Sequence, residues 1–110
     1  KKLNIKRSKI KEALVAEGVT ALATEYCNLH LLPMFQNKIG YGKNGFPWNS
    51  EFCHRDVSYN KGICPVAEKL NDSEFLGFGI CAYDYTDDDI LKIIQAFQKV
   101  WSNLEFLREI

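Results

Sequence analysis

The side chains best equipped for chemistry are four cysteines, Cys27, Cys53, Cys64 and Cys81, and two histidines, His30 and His54. Thiolate and imidazole are the ordinary ligands of zinc, and Cys53, His54, Cys64 and Cys27 would supply four of them. The spacing argues against such a site, because structural zinc takes closely spaced ligand pairs, and Cys53 and His54, adjacent in sequence, do not readily turn toward one ion. A cysteine nucleophile paired with His30 or His54 needs a setting that lowers the thiol pKa, and none is recognisable around these cysteines. Asp84, Asp87, Asp88 and Asp89 form an acidic cluster without the glycine and terminal glutamate of a calcium loop, so helix capping accounts for them better. No glycine-rich phosphate loop is present. These residues do not outline a self-contained enzyme.

The elements that position them follow from periodicity. Ile10, Ala13 and Leu14 lie on one face of a helix over Lys6 to Glu17, which Gly18 stops. Its other face, with Lys6, Arg7, Lys9 and Lys11, reads as solvated rather than as a phosphate patch. Val19 to Tyr26 mixes β-branched and aromatic residues and predicts a strand. Leu29 to Phe35 is short and apolar, with Pro33 where a helical turn starts.

Residues 36–62 carry Gly40, Gly42, Gly45, Pro47 and Gly62 and read as one long connection. Tyr41, Phe46, Trp48, Phe52 and Tyr59 within it predict that it packs onto something, another domain or subunit. Cys64 to Leu70 predicts a short helix opened by Pro65, and Phe75 to Tyr83 an extended crossing segment weakened by Gly77 and Gly79. Thr86 followed by three aspartates caps the last helix, in which Ile90, Ile93, Ile94, Phe97, Trp101 and Leu104 recur at core-facing spacing. The expected fold is therefore α+β, a small sheet packed by a long C-terminal and an N-terminal helix.

A chain of 110 residues is one domain by length, and 46 % hydrophobic with 13 % aromatic residues is enough to build a core. Lysine plus arginine equal aspartate plus glutamate at 14 each, which gives no reason to expect nucleic acid or an anionic membrane as partner. The apolar runs are too short for a membrane helix, and the scattered cysteines fit free thiols in a cytoplasmic protein. The opening Lys1-Lys2-Leu3, without an initiator methionine, reads as a fragment or a processed product.

The order of these segments resembles the DegT/DnrJ/StrS sugar aminotransferases. Tyr26-Cys27-Asn28-Leu29-His30-Leu31-Leu32-Pro33-Met34-Phe35 is similar to the family's Tyr-x-x-Leu-His-x-x-Pro-x-Tyr stretch, and Cys64-Pro65-Val66-Ala67-Glu68-Lys69-Leu70 to its Pro-x-Ala-Glu-x-Leu helix. Phe78-Gly79-Ile80-Cys81-Ala82-Tyr83 stands in the place of its crossing segment, and Thr86-Asp87-Asp88-Asp89 opens the terminal helix. Asn28 replaces a frequent proline, the crossing segment lacks a Leu-Pro pair, and the loop 38–63 is longer than in simple members.

The resemblance implies residues 1–110 as the C-terminal small domain of an enzyme of the aspartate aminotransferase superfamily, inactive alone. The parent would be a homodimer that uses pyridoxal phosphate to aminate a nucleotide-linked keto sugar, with the Schiff-base lysine in a large domain of the same polypeptide and no cofactor on this part. His30 would contact substrate as a donor to a sugar or phosphate oxygen, with Tyr26, His54 and Arg55 as further contacts. The alternative is a stand-alone protein- or ligand-binding module whose aromatic loop docks a partner.

Overall fold

The computed structural model describes residues 4–24 and 26–108. It is α+β, with four α-helices and a two-stranded antiparallel sheet among the described residues: α1 Arg7–Ala16, β1 Leu22–Ala23, α2 Pro33–Gln36, α3 Pro65–Lys69, β2 Gly77–Phe78 and α4 Asp87–Ser102. The chain divides into two compact units, one made of Lys1–Glu25 with Ser73–Ile110 and the other of Tyr26–Asp72.

The first unit is built where α1, the sheet and α4 meet. Among the described residues Leu14 and Val19 are its fully buried side chains, and Ala96 and Val100 from α4 complete the core. Ile10, Leu22, Leu76, Phe78, Phe97 and Leu104 pack around them. The end of α1 explains why Val19 is inside: Gly18 takes a φ of +93°, the Gly18 N–H donates to the Val15 carbonyl at 2.9 Å, and the Val19 N–H donates to the Leu14 carbonyl at 3.0 Å. This paired closure of a helix end brings the residue after the glycine onto the last buried turn. The Lys99 ammonium of α4 also meets the Glu17 carboxylate at 2.8 Å.

That closure shortens the strand expected over Val19 to Tyr26. The Val19 N–H is committed to α1, so only Leu22 and Ala23 pair, opposite Phe78 and Gly77, with one further bond from the Gly79 N–H to the Ala21 carbonyl. Glu25 lies outside the described residues. The crossing segment Phe75 to Tyr83 is likewise extended only at Gly77–Phe78 and turns into a 3-10 turn at Ile80–Ala82.

In α4 the capping box is present: the Thr86 hydroxyl accepts from the Asp89 N–H, and the Asp89 carboxylate accepts from the Thr86 N–H at 3.0 Å. The buried stripe differs from the sequence expectation. Ala96 and Val100 lie inside, whereas Ile94 and Trp101, expected to face the core, are 46 % and 50 % exposed. Ala96 belongs to the buried cluster with Leu14 and Val19, and Phe97 and Leu104 pack against it as expected. Trp101 stacks against Phe97, whose ring meets Phe78 edge-on.

The second unit is loop-rich. Between α2 and α3 there is no helix or strand, as the breaker-rich composition predicts. Polar and aromatic clamps hold this connection in place of regular backbone pairing.

Candidate functional site

Among the described residues of the second unit the only buried one is a carboxylate, Glu68, on α3. Burying a charge is costly unless it is fully hydrogen-bonded, and the chain around Glu68 is shaped to do this. Pro65 starts α3 in its first turn, with no N–H to satisfy there, and Gly62 just upstream takes a φ of +104°. That conformation turns the Gly62 N–H onto both carboxylate oxygens of Glu68, at 2.8 Å each, and the Cys64 N–H reaches Oε1 at 3.3 Å. The fourth contact comes from far along the chain: His30 Nε2 lies 2.8 Å from Glu68 Oε1, with both side chains at most one-tenth exposed.

Burial alone would push the Glu68 carboxyl up, but the bonds from Gly62, His30 and Cys64 outweigh it and hold the group below the usual carboxylate range. Glu68 is thus an ionised acceptor that fixes the loop before α3 and the imidazole of His30.

His30 sits in a 3-10 turn, Leu29–Leu31, directly before α2. The last residue of α2, Gln36, donates through Nε2 to the His30 carbonyl and to the Tyr59 carbonyl, at 2.6 Å each. Tyr59 is held again at its hydroxyl, which accepts from Trp48 Nε1 at 2.8 Å, and the rings of Phe35, Trp48 and Tyr59 lie with centroids 5.2–6.2 Å apart. A donor-satisfied tryptophan among rings at this spacing packs firmly. The far half of the long connection is therefore tied to the His30 segment at two points, through Tyr59 and through Gly62 with Glu68.

This framework supports two adjoining hollows. One, of about 340 Å³, is lined by Lys38, Trp48, Cys53, His54, Arg55, Asp56 and Val57. The other, of about 230 Å³, is lined by Phe35, Gln36, Lys38 and the loop residues 56–60. Lys38 and Asp56 border both and face each other at 3.2 Å. With Arg55 and His54 beside them and Trp48 as an apolar wall, the larger hollow is suited to an oxyanion carried next to a planar ring.

The four substrate contacts expected from sequence thus separate by place: His54 and Arg55 share the larger hollow, whereas His30 lies behind the smaller one, joined to it through Gln36. Tyr26 is not among the residues lining these two hollows. Its side chain is 79 % exposed and its backbone N–H donates to Asn71 Oδ1 at 3.0 Å. Glu68, Gln36 and Lys38 were not singled out by sequence reasoning. Glu68 stood in a quoted motif, so its signal was present; Gln36 and Lys38 carried none.

Among the described residues no three His, Cys, Asp or Glu side chains gather closely enough to hold a metal ion, and no helix is long and apolar enough to cross a membrane. Cys27, Cys64 and Cys81 are exposed and Cys53 is half-buried. No family model matches the chain, and no curated protein or solved structure matches it.

Proposed function

We propose that this chain is the C-terminal domain of a cytoplasmic pyridoxal-phosphate-dependent aminotransferase of the DegT/DnrJ/StrS type. On this reading it has the small-domain fold of the aspartate aminotransferase superfamily, completes the cleft for a nucleotide-linked keto sugar, and packs on the large domain and the dimer mate. One observation carries the reading. The two stretches that resemble family motifs, well separated along the chain, meet in space through the 2.8 Å contact of His30 with Glu68. Their convergence on one buried polar centre supports the reading.

Two further features support it. The hollow lined by His54, Arg55 and Trp48, beside the Lys38–Asp56 pair, offers a cationic side chain and an apolar wall that suit a nucleoside diphosphate group. Among its described residues the second unit also has no buried apolar side chain and leaves Tyr26, Tyr41 and Phe52 about four-fifths exposed, which suits a segment covered by a larger protein.

Pyridoxal phosphate needs a lysine to anchor it and a carboxylate against its pyridine nitrogen. In the larger hollow Lys38 and Asp56 are engaged with each other. That hollow does not fit the cofactor, and the proposal places it in the large domain.

The test is the natural reading frame that contains this chain, expressed whole. It is expected to bind a visibly absorbing cofactor and to transfer an amino group from glutamate to a nucleotide-linked keto sugar, with Arg55→Ala raising KM for that sugar. A frame that encodes no large domain, or a product with neither property, overturns the reading in favour of a binding module.

A further inference from the structure

The donor and acceptor inventory around Glu68 determines more than a structural clamp. Backbone N–H groups can only donate, so the bonds from Gly62 and Cys64 make both Glu68 oxygens acceptors. With Glu68 ionised in this cage of donors, it has no proton to give, and the 2.8 Å contact between Glu68 Oε1 and His30 Nε2 places the shared proton on the imidazole nitrogen. The His30 backbone is held separately, by Gln36 at its carbonyl, so the residue is anchored at both ends. Among the described residues the only buried side-chain nitrogen or oxygen without a partner is Asn28 Nδ2, so His30 Nδ1 is not a stranded atom inside the unit.

We infer that Glu68 is the positioning residue for His30: it keeps the Nε2 proton engaged and leaves Nδ1 as the ring nitrogen that meets a ligand. This rests on the proposed substrate cleft only in its second half. The first half, the fixed ring, is a property of the chain itself.

The consequence concerns the kind of group His30 takes. The Nε2–H is never free for a phosphate oxygen. The neutral ring offers a lone pair at Nδ1, which accepts from a sugar hydroxyl or an amine N–H. The resemblance gives His30 as a donor toward a sugar or phosphate oxygen; on this inference the neutral ring accepts instead.

The chain labelled with 15N-histidine, with His54→Asn to assign the two rings, tests this by long-range 15N–1H spectra at pH 8 in water. The expected result is a downfield Nε2–H resonance for His30 that exchanges slowly enough to be seen and that is lost in Glu68→Ala. A neutral His30 protonated at Nδ1, or no protected ring proton in the unsubstituted chain, overturns the inference; both of these results are read without the Glu68 variant and stand even where Glu68→Ala does not fold.

In the whole enzyme, His30→Gln places an amide donor near the Nε2 position but nothing at Nδ1. It is expected to keep the thermal midpoint and raise KM about tenfold with kcat little changed. His30→Asn, with its amide near Nδ1, is expected to lower the midpoint instead. A protected Nε2–H with an unaltered KM in His30→Gln leaves Glu68 as the positioning residue and overturns the substrate contact. Absence of any transferase activity overturns the proposed function and leaves the spectrum to decide the rest.

Discussion

The Gly62 amide lies 2.8 Å from each carboxylate oxygen of Glu68, a forked contact between a glycine at positive φ and the one buried side chain among the described residues of its unit. Because Glu68 is held below the ordinary carboxylate range in the folded chain, its unfolded form binds more protons as acid is added. The stability it contributes is complete above its unfolded pKa of about 4.3 and is lost as pH falls through the lower folded value. Fluorescence of Trp48, in the same unit, is expected to report loss of stability below about pH 4, and Glu68→Gln should flatten that dependence while lowering the thermal midpoint at pH 7. An unchanged acid profile in Glu68→Gln would contradict this.

Asp89 gives the first unit its own acid sensitivity. The Thr86 hydroxyl and amide bonds depress its pKa, so protonation at low pH breaks the capping box of α4. Thr86→Ala is expected to cost about 1 kcal/mol, measured by denaturant unfolding at pH 7. The cost should shrink when Asp89 is already replaced by Asn, since one box is being removed twice.

Core register is tested by contrasting the two sides of α4. Leu14→Ala, at a fully buried position, is expected to cost about 2–5 kcal/mol, and Val100→Ala somewhat less. Ile94→Ala and Trp101→Ala, at half-exposed positions, should each cost less than Leu14→Ala. A larger loss from Trp101 would mean that α4 is rotated toward the face its hydrophobic spacing suggested.

Gly40 has no room for a side chain. A Cβ there would stand 2.7 Å from the Phe46 carbonyl oxygen and 3.0 Å from the Trp48 ring. Gly40→Ala is expected to displace the Trp48 segment at a cost of about 1–3 kcal/mol and to shift Trp48 emission. Gly42→Ala, with open space around its Cβ but a φ of +73°, should leave the emission in place.

Local signals made much of the first unit legible. Gly18 as a helix stop and Thr86 with Asp89 as a helix start depend on residues at most a few positions apart, and both appear as expected. Strand length did not follow from propensity, because the fate of the Val19 N–H was decided by α1 and not by β preference. Phe97 and Leu104 of α4 pack on the core as their spacing predicted, whereas Ile94 and Trp101 do not, and the small Ala96 with Val100 takes the buried places.

In the second unit the long connection was evident from its glycines. Its clamps were not, since His30 to Glu68 and Gln36 to Tyr59 join residues with no spacing rule between them. Charge type alone made Arg55 and His54 candidates, and they do share a hollow. Tyr26, chosen from the same motif as His30, lies exposed, because neighbours along an irregular segment need not point the same way.

The pairing of Ala23 with Gly77 has a topological meaning. The whole second unit is strung between two strands that run antiparallel, so in chain order it is an oversized hairpin insertion of about fifty residues. Relative to a four-residue turn, closing such a loop costs only about 2 kcal/mol of chain entropy. The helical unit can therefore bear wholesale exchange of the inserted segment, including changes in its length and composition, and still close its own core.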